Sequence, residues 1–99
     1  MAEAAKGHRM NNQLTKAERE HLAKVKALPC SVCDAPPPSE AHHIQQGQQY
    51  TCVALCPDCH RGPILGWHGQ RRMWVIKKME EIDALAVTVK RLMQQKQEQ

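Results

Sequence analysis

Phenylalanine is absent from this 99-residue chain, and its aromatic side chains amount to Trp67, Trp74 and Tyr50. Aliphatic residues and methionine must therefore fill the core, and a domain of this size is marginal on core packing alone. A bound metal is the staple that the composition offers. Also missing is an apolar run of the ~20 residues that a bilayer crossing takes. The polar start lacks the apolar segment of a secretion signal. These two absences predict an intracellular protein with no membrane partner. The five cysteines are an odd number, and a reducing compartment disfavours disulfides, so metal binding is the better account of them.

The formal charge of +4 is unevenly spread. Residues 1–28 carry six basic and three acidic groups, residues 29–66 one and three, and residues 67–99 seven and four. Two basic arms thus flank a slightly acidic centre, which suits a phosphate backbone held from both sides of a site. An ordinary solvated surface is the plainer reading of so modest a charge.

Residues 1–13 show no hydrophobic periodicity and read as a polar leader in which Lys6, His8 and Arg9 are free to touch an anion. Thr15 followed by Glu18 is a capping box, which predicts a helix over residues 16–27 with Leu22 and Val25 inward and His21 on the surface. Pro36, Pro37 and Pro38 form a stiff connector, neither helix nor central strand. Residues 40–44 and 50–55 read as two strands of a hairpin turning through residues 45–49. Three glycines and a proline in residues 61–69 leave room for one short helical turn after Cys59, then a loop. From 70 to 96, Val75, Met79, Ile82, Ala86, Val89 and Met93 recur at helical spacing, widened by Ile76, Leu85 and Leu92. One helix that closes the core is the expectation. Barely three heptads favour packing within the chain over a coiled coil with a second copy, so a monomer is expected. Residues 97–99 read as a frayed tail, which leaves 14–96 as a single α+β domain.

Cys30 and Cys33 form one C-x2-C knuckle and Cys56 and Cys59 another, with twenty-two residues between them. Four thiolates fill the tetrahedral shell of zinc and leave no open position, so the spacing predicts a structural zinc site. Cys52 has no close partner and is expected to pack. His42, His43, His60 and His68 cluster in sequence about these knuckles. Neutral imidazole is both a metal ligand and a base near neutral pH, and adjacent strand residues point to opposite sides, so His42 and His43 can divide those functions. Phosphodiester hydrolysis needs that combination of a base for water and a cation for the phosphate. His60, held by the zinc turn, and His68, between Gly66 and Gly69, are the further candidate ligands. The plainer reading makes His42 and His43 exposed strand residues and His60 a cap.

The order Cys30-x2-Cys33, Ala41-His42-His43-Ile44 and Leu55-Cys56-Pro57-Asp58-Cys59-His60 resembles the zinc-containing HNH endonucleases. The extension through Arg61-Gly62, Gly66-Trp67-His68-Gly69 and Trp74 looks like the Ref family of phage recombination-enhancement nucleases, which cut DNA in dependence on RecA filaments. The resemblance covers residues from about 15 to 93. It implies a zinc-stapled ββα-metal domain with flanking N- and C-terminal helices, in the cytoplasm of a bacterial host. It further implies that His43 is the general base, that His42, His60 and His68 hold a catalytic magnesium or other divalent ion, and that DNA and the RecA filament are partners. The middle asparagine of the usual motif would fall near Thr51, where this chain has none.

DNA would be gripped by Arg61, Arg71, Arg72, Lys77 and Lys78, with Lys6 and Arg9 in the leader. No recognition-helix pattern accompanies them, so they are expected to neutralise phosphates and not to read bases. The alternative from another class is a non-catalytic zinc module that binds DNA or protein, its histidines serving a second structural metal. An open coordination position at the histidines separates the two.

Overall fold

The computed structural model describes residues 13–97. Residues 1–12 of the expected leader, Lys6, His8 and Arg9 among them, and the last two residues of the expected tail lie outside them. The chain runs through helix α1 (Lys16–Lys26), strands β1 (Glu40–His43) and β2 (Cys52–Leu55), and helices α2 (Pro57–Arg61), α3 (Arg72–Lys77) and α4 (Glu81–Gln97). The result is an α+β domain with a two-stranded sheet. Among the described residues no helix is long and apolar enough to cross a membrane.

Helix α1 begins where its capping box lies: the Glu18 amide donates to the Thr15 hydroxyl, and the Thr15 amide donates to the Glu18 carboxylate. Val25 is fully buried. His21 is half-buried, its ring 4.9 Å from that of Tyr50, so it is not the free surface residue expected. The two strands are antiparallel, with His42 opposite Val53 and His43 opposite Cys52. Every residue of β2 is buried, because helices cover it.

The C-terminal region departs from the single helix expected. Lys78 takes a left-handed conformation, with φ at 57°, and ends α3; α4 restarts at Glu81. No proline or glycine lies between them to announce the break. The inward face is different too. Ile82, Val89 and Met93 are exposed, as are Val75 and Ile76 before them, whereas Ala84 and Thr88 are completely buried. Helix α4 lies so close to β2 that only small side chains fit between, and a stripe chosen for bulk finds the outer face instead.

Thr88 is the fastener of that contact. Its hydroxyl donates to the Ala84 carbonyl, accepts from the Ala54 amide at 3.2 Å and sits 2.7 Å from the Ser31 hydroxyl. The Ser31 amide in turn donates to the Ala54 carbonyl, so the first knuckle, β2 and α4 share one buried network. Arg91 adds a second tie from α4, donating to the carbonyls of Pro29 and Cys30 and to the Asp34 carboxylate. Thr88→Val, nearly isosteric, will strand the Ala54 amide and the Ser31 hydroxyl. A loss of about 1–3 kcal/mol for each orphaned group is expected in the denaturation midpoint. An unchanged midpoint would remove this network from the account of stability.

Candidate metal centres

The second knuckle starts a helix for local reasons. Pro57 has the backbone angle of a first helical position and no amide to leave unpaired, and the Cys56 sulfur caps the turn by accepting from the Cys59 amide. In the first knuckle the amides of Val32 and Cys33 point at the Cys30 sulfur. The hairpin then brings the two turns together, and one sulfur of each of Cys30, Cys33, Cys56 and Cys59 lies within 4.8 Å of the others. A tetrahedron with metal–sulfur bonds of about 2.3 Å has edges of about 3.8 Å. The Cys33 and Cys56 sulfurs stand 3.6 Å apart. The four cysteines therefore fit a metal ion such as zinc.

Their ionisation points the same way. The Cys59 thiol donates to the Cys30 sulfur and draws its pKa down to about 4, while the Cys59 thiol itself is pushed far up by holding that bond. Burial raises Cys56 as well. The Cys30 thiolate thus holds Cys56 and Cys59 protonated, and a divalent cation at the centre is what offsets that repulsion. Cys52 is buried outside the cluster, and burial pushes its thiol up to about 11. It packs and does not ligate.

The histidine centre lies beside this one. His42 stands on β1 with 3% of its surface exposed. His60 is carried by α2, immediately after Cys59. His68 arrives from the glycine-rich loop, which doubles back so that the Trp67 amide donates to the Cys59 carbonyl at 2.8 Å and the His68 amide to the His60 carbonyl at 3.0 Å. A Cβ at Gly66 would lie 2.5 Å from the Gly62 nitrogen, and one at Gly69 2.4 Å from the carbonyl oxygens of Gly62 and Pro63, so the doubling back requires glycine. The rings of His42, His60 and His68 form a near-equilateral triangle with centroids 5.0, 5.1 and 5.0 Å apart. One nitrogen of each lies within 4.8 Å of the other two. His68 is exposed, so the triangle faces solvent on its side.

Two carboxylates brace the triangle from outside, and neither was singled out from the sequence. Glu81, at the start of α4, accepts from His42 Nε2 at 2.6 Å, and Glu40 accepts from His60 Nδ1 at 2.8 Å. The nitrogens left for a metal are Nδ1 of His42 and Nε2 of His60. Burial lowers the basicity of His42, opposed in part by Glu81, which favours the neutral ligand form. Glu40 also takes a bidentate fork from Arg61, and Arg61 and His60 together hold its carboxyl below the usual range. Carboxylate–histidine pairs fix the tautomer of a ligand and strengthen it. Glu81→Ala will weaken divalent-metal binding at this centre by roughly 10–100-fold in a calorimetric titration. Glu81→Gln, which keeps an acceptor, will lose less. Equal affinities in all three proteins would deny Glu81 this function.

His43, the next residue of β1, is half-buried and is not one of the three clustered histidines: its Nε2 lies 2.7 Å from the Gln49 side-chain oxygen. Of the expected phosphate-binding cations, Arg61 has its fork occupied by Glu40, and Arg71 lies over the Trp67 ring. Arg72, Lys77 and Lys78 are exposed on and just after α3.

No family model, no curated protein and no solved structure matches this chain.

Proposed function

We propose that the chain is a metal-dependent DNA endonuclease of the HNH type, acting with RecA filaments in phage recombination. The observation that carries the reading is the triangle of His42, His60 and His68. Among the described residues it has no fourth protein ligand, it opens to solvent, and it stands next in the chain to a fourth imidazole with its own partner, His43. Three histidines with an open position are the pattern of a catalytic metal site, whereas a closed set of four is structural. Imidazole nitrogen suits zinc, iron or nickel, while magnesium favours oxygen ligands, so a transition-metal ion is the better occupant. When bound there, such an ion supplies positive charge to a phosphate and its leaving oxygen.

The chain's own residues do the rest. His43 takes the proton from the attacking water. Its Nε2–H donates to Gln49, which fixes the tautomer and leaves Nδ1 as the base. Gln49 thereby does the orienting work that an asparagine does in the usual motif. Arg72, Lys77 and Lys78 neutralise flanking phosphates without reading sequence. Arg61 holds Glu40, and through it His60.

The test mixes zinc-loaded protein with single-stranded and duplex DNA, with and without RecA and ATP, in manganese, zinc or magnesium. Nicking that His43→Ala abolishes supports the reading. If no metal yields nicking, with RecA or without it, the chain is a binding module.

A further inference from the structure

We propose that the cavity beside Trp67 is a stacking site for one unpaired nucleobase, with the Arg71 guanidinium as platform and Lys78 as counter-charge for the adjoining phosphate. The proposal rests on the nuclease reading and narrows its substrate to DNA with a single-stranded or splayed segment next to the cut.

The cavity measures about 270 Å³ and lies between the glycine loop, α3 and the turn that follows α3. Arg71 is fixed on its wall in two ways. Its guanidinium carbon lies 3.8 Å from the Trp67 ring centroid, and its Nε donates to the Trp67 carbonyl at 2.7 Å. One face of the planar fork thus rests on the indole, and the other face is left for a ligand. Unpaired bases stack on guanidinium planes as they do on aromatic rings. Among the described residues no acid pairs with Arg71 or with Lys78.

The backbone gives these two cations a further distinction. Arg71 and Lys78 both take left-handed angles, with φ at 60° and 57°, and they bracket α3. Each is strained relative to ordinary helical or extended backbone. Both strained cations line the same cavity. The rest of the wall argues for a base over a bare phosphate. Val75, 70% exposed, and Met79 offer apolar surface to a ring, and Glu80 repels phosphate while it accepts from an exocyclic amine. The site also adjoins the histidine centre, because the Trp67 ring stands 6.4 Å from that of His42 and His68 follows Trp67 in the chain. A strand whose phosphate lies at the triangle has its neighbouring nucleotide within reach of Arg71. In a duplex that base is stacked and paired, and it cannot lie on the platform.

Both tryptophans of the chain line this cavity, so their emission reports on it. The zinc-loaded full chain is titrated, at fixed ionic strength and with no other divalent ion, with a short labelled single strand, with its duplex, and with the same strand carrying abasic sites. Label anisotropy reads binding, and tryptophan emission reads the cavity. The expected result is quenching by the single strand, with affinity roughly tenfold above that for the duplex or the abasic strand. Arg71→Ala removes the quenching and the preference. Arg71→Lys, which keeps the charge and lacks the plane, fails to restore them. Binding without change in emission, equal affinity for intact and abasic strands, or full rescue by Arg71→Lys overturns the stacking site and leaves the nuclease reading standing. Absence of any DNA binding overturns both. If Arg71→Ala does not fold, as judged by its melting curve, the abasic strand and Arg71→Lys still decide the matter.

Discussion

Stripped of metal by a strong chelator, the chain will lose its cooperative melting transition, and Cys56→Ser will lack one even with zinc supplied. The main core cluster makes the reason plain. Cys30, Cys56 and Cys59 are themselves core residues, packed with Val32, Val53, Leu55, Trp74 and Ala84, and Cys33 lies against the same cluster. The cysteine centre is part of that core, and Trp74 is tied to it by an indole N–H donated to the Cys59 carbonyl. Structural zinc sites are worth about 10–16 kcal/mol in apparent terms near neutral pH. A whole domain is stable by about 5–15 kcal/mol. Losing the first therefore exceeds most of the second, and circular dichroism will show an unfolded chain. Thiol labelling gives an independent reading: the zinc-loaded protein will resist it, and the stripped protein will expose its cysteines. A melting curve indifferent to both chelation and Cys56→Ser would sink the structural-metal account.

On the nuclease reading proposed above, His43→Ala will lower DNA nicking by about 10²–10⁴-fold, the range for loss of a positioned general base, without changing the metal content of the protein. His42→Ala will lower both. That split follows from the positions of the two residues. His42 is buried against His60 and His68, with Glu81 behind it, whereas His43 is held by Gln49 at the hairpin turn. Gln49→Ala will lower the rate by less than His43→Ala, because it frees the ring without removing it. If His43→Ala lost its metal along with its activity, His43 would belong with the ligands and the base would have to be sought elsewhere. If His43→Ala cut as fast as the parent chain, the assignment of the base would be wrong outright.

Local chemistry made much of this molecule legible before its structure. The capping box at Thr15 set the start of α1, and two short runs on either side of the turn at 45–49 set the hairpin. The paired C-x2-C spacings set the cysteine cluster, because a knuckle is a local turn and four sulfurs have few ways to satisfy one another. What stayed hidden was longer in range. Helix α4 buries Ala84 and Thr88, neither of which stands out in a hydrophobic pattern, since close approach to β2 selects for small size. Lys78 breaks the helix with no proline or glycine to signal it. The partnership of Glu81 with His42 spans 39 residues and joins a helix to a strand, and no spacing rule connects such positions. His68 was a candidate ligand from the sequence, set between Gly66 and Gly69, but the backbone path that brings it to His60 was hidden.

That backbone path joins the two centres. His68 is brought home by the Trp67 and His68 amides, which donate to the carbonyls of Cys59 and His60 on the turn that the second cysteine pair makes. The histidine triangle is thus built on the cysteine centre. An ion lost from the four cysteines would loosen the turn that carries both, so one missing ion would undo two binding places.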